Sequence, residues 1–137
     1  VKLIIDTNVF ISGIFFSGPP CVIFNAWRHG KVIIVTSPYI LDEYWRVGKE
    51  LASRFSGVDL EPWLQLLTVK AQVIEAAPLE ENVCSDPDDD KFLACAIAGN
   101  TKTILTGYKH LLAVCGYEGI AILKPRAFVE KYLKKKR

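Results

Sequence analysis

Four β-branched residues in a row, Val32-Ile33-Ile34-Val35, constrain this chain more than any other feature. The run has no polar face, so it reads as a strand covered on both sides, the arrangement found in parallel sheets with helices packed over them. Leu3–Ile5, inside the apolar opening Val1-Lys2-Leu3-Ile4-Ile5, is a second strand of this kind. Stretches of helical periodicity separate the strand signals, and that alternation favours an α/β fold.

The loop after Ile5 holds Gly13, Gly18, Pro19 and Pro20, which places the first helix at Cys21–His29, stopped by Gly30. Ser37-Pro38 supplies an N-cap and a first-turn proline for a helix from Pro38 to about Phe55, ended around Ser56-Gly57. Its apolar face uses Ile40, Tyr44, Val47 and Leu51. A shorter helix over Leu60–Val69, a strand at Gln72–Ile74 and a connecting loop over 75–84 follow. Asp86-Pro87 opens the next helix, which ends at Gly99. Strands at Thr103–Thr106 and Ile120–Leu123 and an amphipathic helix at Pro125–Lys135 complete one expected domain over 1–137.

Half the residues are hydrophobic, enough for a core, yet no apolar run approaches the ~20 residues that span a bilayer. With nothing resembling a signal peptide, a cytoplasmic protein that does not enter membranes is expected. Cys21, Cys84, Cys95 and Cys115 show no CxxC spacing and read as buried, reduced thiols. His29 and His110 are isolated and form no metal motif. The formal charge is +2, but Lys134-Lys135-Lys136-Arg137 alone carries +4, leaving an acidic body of about −2. That tail suits a polyanion, or equally a solvated helix end. Trp27, Trp45 and Trp63 on expected helices exceed what a modest core absorbs, which points to a homodimer.

Three acids far apart in the sequence stand where a parallel sheet would gather them. Asp6 directly follows the first strand, at the edge where ligands of α/β sheets collect. It reads either as a cap of the following turn or as a site residue, with Thr7 and Asn8 orienting it. Glu43 borders the apolar face of its helix, three residues after Ile40 and four before Val47, whereas Asp42 points elsewhere. In Asp86-Pro87-Asp88-Asp89-Asp90, helical spacing puts Asp86 and Asp90 on one face and turns Asp88 and Asp89 away. Gathered carboxylates repel and need a cation to stay ionised together, so the residues read as a divalent-metal site. Lys91 and Lys109 are candidate phosphate contacts, or plain ion pairs.

Ile4-Ile5-Asp6-Thr7-Asn8-Val9, Leu41-Asp42-Glu43-Tyr44, Asp86-Pro87-Asp88-Asp89-Asp90-Lys91-Phe92-Leu93-Ala94 and Leu105-Thr106-Gly107, in that order and spacing, resemble the PIN-domain family. The resemblance covers nearly the whole chain and looks closest to the toxin components of bacterial and archaeal toxin–antitoxin systems. It implies a five-stranded, mostly parallel sheet flanked by helices on both faces. It also implies a Mg²⁺- or Mn²⁺-dependent ribonuclease that cuts single-stranded RNA, with an antitoxin protein as partner. The family's acids map onto Asp6, Glu43 and Asp90 as catalytic and metal-binding residues.

The chain departs from the family at the usual fourth acid, where it has Tyr108, a poor ligand for a hard cation. Asp86 is the candidate substitute among the metal ligands. The missing acid keeps a second reading open, a PIN-like module that binds RNA or protein without cutting. A haloacid-dehalogenase-type phosphotransferase would need an acid where Asn8 stands. A response-regulator receiver would need adjacent acids after its first strand, and Asp6 stands alone.

Overall fold

The computed structural model describes residues 1–54 and 59–133. Its five strands, β1 (Lys2–Ile5), β2 (Ile33–Thr36), β3 (Gln72–Val73), β4 (Thr103–Leu105) and β5 (Ala121–Leu123), form one sheet in the order β3-β2-β1-β4-β5. Every neighbouring pair is parallel, so the sheet is wholly parallel rather than mostly so. β1 lies at its centre, and Leu3, Ile4 and Ile5 are all fully buried. Successive side chains of a strand point to opposite faces, so this burial requires cover on both sides. Helix α5 (Asp90–Ala98) packs over β1, β2 and β4. A cluster of α1 (Thr7–Phe15), α2 (Pro19–Arg28) and α3 (Pro38–Ala52) packs helix on helix.

Helix α1 occupies a segment that the glycines and prolines suggested was a loop. It starts immediately after β1, with Asp6 as N-cap and its Oδ1 accepting the Val9 amide at 2.8 Å. Val9, Phe10 and Ile11 are all buried, so the helix lacks the broad polar stripe by which an amphipathic helix is recognised. Gly13 is tolerated inside it because α2 passes close by: a Cβ there would lie 3.1 Å from the Phe24 ring.

Other elements fall close to expectation. Ser37 caps α3, accepting the Ile40 amide at 3.4 Å, with Pro38 in the first turn. The end of this helix near Phe55, the Ser56-Gly57 stop and the Lys134–Arg137 tail lie outside the described residues. Helix α4 (Glu61–Lys70) leads into β3. A short α6 (Lys109–Leu112), which the sequence reading did not mark, follows β4. The C-terminal helix is α-helical only over α7 (Pro125–Phe128) and continues as a π-helical turn through Val129–Leu133.

Two side-chain expectations change. Cys84 and Cys95 are buried free thiols, but Cys21 is only half-buried and Cys115 is exposed. Of the tryptophans, Trp27 is core and Trp63 packs on Phe24, ring centroids 5.5 Å apart, so only Trp45 remains substantially exposed. Among the described residues no single helix is long and apolar enough to cross a membrane.

Candidate active site

The carboxyl ends of β1, β2 and β4 reach the same sheet edge because all three run parallel. Asp6 leaves β1 there, with its amide on the Leu105 carbonyl at 3.0 Å and its side chain fully buried. One carboxylate oxygen caps α1, and the other receives the Thr106 hydroxyl from the end of β4. The two readings of Asp6 are therefore not exclusive: capping engages one oxygen and leaves the charge at the sheet edge. Burial raises the Asp6 carboxyl from 3.8 to about 6, against bonds from Thr106, Val9 and Gly107 that favour ionisation; the Asp89 charge adds to the rise.

Tyr44 sets the position of Glu43. Its ring stacks on Phe10 at 4.3 Å with an interplanar angle of 7°, and its hydroxyl donates to the Ile5 carbonyl. The adjacent Glu43 is thereby turned inward, where it is 8% exposed, while Asp42 is exposed. One Glu43 oxygen accepts the Thr7 hydroxyl; the other takes the Lys91 ammonium at 2.6 Å. Thr7 thus orients Glu43, and Thr106, a residue 100 positions from Asp6, orients Asp6. A more distant Arg46, at 3.9 Å and largely solvated, completes the surroundings of Glu43.

The acidic run is where local spacing misleads. Pro87–Asp89 is a 3₁₀ turn, closed by the Asp89 amide on the Asp86 carbonyl at 3.0 Å, and the α-helix starts only at Asp90. Residues three apart eclipse in a 3₁₀ turn, so Asp86 aligns with Asp89 and not with Asp90. The Asp90 carboxylate instead receives the amides of Val83 and Cys84, at 3.1 and 2.8 Å, and ties down the loop before the turn. Asp89 lines a cleft of about 380 Å³ together with Thr7, Glu43, Asp86, Tyr108 and His110. Burial, followed by the charges of Asp86, Glu43 and Asp88, raises its carboxyl to about 6. The structure therefore brings Asp6, Glu43 and Asp89 into electrostatic contact, and commits Asp90 to the backbone.

Tyr108 stands in the cleft wall rather than in the core. Its phenol is pushed up to about 12 by burial and then by the charges of Asp6, Glu43 and Asp89. Its amide donates to Thr106 Oγ1 at 2.9 Å, locking the turn after β4. His110, isolated in the sequence, also lines the cleft, and its charge favours ionisation of Asp89. The signal for it was its place two residues after Tyr108, at the start of a helix not foreseen. Lys109 is exposed on the same turn, and Lys91 forms ion pairs with Glu43 and Asp88.

The donor set suits a hard divalent cation: it offers carboxylate oxygens, with the Asp6 and Asp89 carboxyls raised to about 6 by burial first and by neighbouring acids second. The set is not preassembled. Among the described residues no three acid, His or Cys side chains stand close enough together to hold an ion.

A parallel five-stranded sheet with acids at its carboxyl edge defines an α/β protein whose candidate site lies at the carboxyl ends of its strands. The chain matches the PIN domain over residues 2–110, and it belongs to the PIN-domain family. It is 34% identical over 121 residues to the uncharacterized protein MJ1680 of Methanocaldococcus jannaschii, covering 83% of this chain and 75% of that protein. The crystal structure of PAE2754 from Pyrobaculum aerophilum superposes with a TM-score of 0.58 at 18% identity, over 95% of this chain and 88% of that one; at this identity the likeness is one of fold. PIN domains are generally nucleases and typically use divalent metal ions.

Proposed function

We propose that the protein is a metal-dependent endoribonuclease that cuts single-stranded RNA, the toxin of a toxin–antitoxin pair, with Asp6, Glu43 and Asp89 as its working acids. One observation carries this reading: the Asp89 charge raises the carboxyl of Asp6 and the Glu43 charge raises that of Asp89, so acids from elements far apart in sequence meet at the sheet edge. Acidic charge concentrated in a partly buried cleft, and only partly offset by Lys91 and Arg46, is suited to a cation. Asp89 takes the role first given to Asp90, because Asp90 is committed to the Val83 and Cys84 amides. Asp86 also lines the cleft and acts on Asp89, as the exposed Asp88 does.

When bound, a Mg²⁺ or Mn²⁺ ion polarises the scissile phosphate and lowers the pKa of water. The chain supplies the rest. Thr106 and the α1 cap fix the Asp6 carboxylate, and Thr7 fixes that of Glu43. His110 lines the cleft beside Asp89. Arg46 offers a solvated guanidinium at the rim for the RNA backbone. A homodimer and an antitoxin are proposed partners, with the exposed Trp45 and Tyr39 on α3 as the apolar surface available to them.

The second reading, a module that binds without cutting, is favoured by one feature, the neutral Tyr108 in the cleft wall. Cleavage of single-stranded RNA by purified protein, with and without chelator, separates the two. Chelator-sensitive cleavage that Asp6→Asn abolishes, with the fold retained, is expected. Binding of the same RNA with no cleavage in Mn²⁺ would support the second reading instead.

A further inference from the structure

Lys91 is a largely desolvated cation beside this acidic cleft, and its placement is costly. It is the second residue of α5, where the helix dipole disfavours positive charge. Its side chain is only 16% exposed, so a flexible chain has been immobilised and an ammonium largely desolvated. The ammonium lies 2.6 Å from Glu43 Oε1 and 3.2 Å from Asp88 Oδ1. With the Thr7 hydroxyl on the other oxygen, both oxygens of Glu43 are engaged, and one of the three working acids is already neutralised. Lys91 also lines an adjoining groove of about 410 Å³, which gives its side chain somewhere to go.

We propose that Lys91 is a built-in counter-cation that competes with the divalent ion for Glu43, so that the ion must displace its ammonium before the site assembles. Lys91 is on this account a positioning residue. It holds Glu43 in place in the ion-free protein, and it sets the ion concentration at which the enzyme becomes active. The lack of a preassembled three-donor cluster follows, because Glu43 is turned to Lys91. The inference rests on the proposed metal site and deepens it.

The test is calorimetric titration of Mn²⁺ into the wild-type chain, Lys91→Met and Lys91→Arg, with thermal melts of each. Removing a unit charge a few ångströms from a divalent ion is expected to tighten binding about ten-fold or more in Lys91→Met. Lys91→Arg should remain near wild type. The ion-free Lys91→Met protein should melt lower than wild type and gain more on Mn²⁺ saturation. Equal or weaker Mn²⁺ binding by Lys91→Met overturns the competition and leaves the metal site standing. No binding by any of the three proteins overturns the metal site and this inference together. A readout that needs no substitution is the Lys91 side-chain nitrogen resonance of the wild-type chain. It should move when Mg²⁺ saturates the protein, and an unmoved signal at saturation overturns the inference.

Discussion

Asp89 and Asp90 are neighbours with the same side chain and opposite surroundings, and the difference fixes what each substitution should do. Asp90 accepts two backbone amides, so Asp90→Asn turns an amide group against at least one of them and should cost about 1–3 kcal/mol of stability. Asp89 is held near pKa 6 by burial and by three like charges. Asp89→Asn removes that repulsion and should raise the melting temperature of the ion-free protein at neutral pH. Thermal melts of the two variants side by side check these opposite signs. At Tyr108 a carboxylate would add both a ligand and a charge beside Asp6, Glu43 and Asp89, so Tyr108→Asp should tighten Mn²⁺ binding in a calorimetric titration. Equal affinity would mean that Asp86 already fills the fourth place.

Short junctions between elements govern the site more than the elements do. β1 and β2 were legible because burial on both faces writes continuous apolar runs into the sequence, Leu3–Ile5 and Val32–Val35. Helix α1 was not, because burial of most of its circumference leaves only a narrow polar edge at Asn8 and Ser12, and its glycine and nearby prolines read as loop chemistry. The 3₁₀ turn at Pro87–Asp89 changes the angular phase of the acidic run by enough to put Asp89 in the cleft wall, and no local propensity distinguishes such a turn from the first turn of an α-helix. Packing of α3 carries a further prediction. A Cβ on Gly48 would lie 2.5 Å from Leu60 Cδ2, so Gly48→Ala should destabilise by about 1–3 kcal/mol despite the helix propensity it gains. Urea denaturation of the variant measures this.

For the molecule as a whole, topology was legible and long-range polar contacts were not. The order of the acid-bearing segments, read with the parallel sheet, was sufficient to bring Asp6 and Glu43 to one edge. Thr106 on Asp6, Thr7 and Lys91 on Glu43, and His110 beside Asp89 depend on approaches between distant segments that spacing does not encode. The assembled cleft makes stability depend on pH. Asp6 rises from 3.8 to about 6 on folding, so the folded chain holds a proton that the unfolded chain releases between those values. Stability of the ion-free protein should therefore fall as pH rises from about 4 to about 6, by roughly 3 kcal/mol from Asp6, with Asp89 acting in the same direction. Asp88, partly desolvated but held low by Lys91, opposes them weakly because it is exposed. Saturating Mn²⁺ should flatten the slope, and melts across this range with and without the ion check it.

The most direct measurement is the rate of cleavage of a labelled single-stranded RNA in Mn²⁺ by the wild-type chain, Asp89→Asn and Asp90→Asn, below the melting temperature of the least stable variant. The account predicts chelator-sensitive cleavage that Asp89→Asn reduces at least about a hundred-fold, on the scale of losing a group that stabilises transition-state charge. It predicts that Asp90→Asn, though less stable, retains most of its activity. Loss of cleavage in Asp90→Asn with activity kept in Asp89→Asn would contradict it.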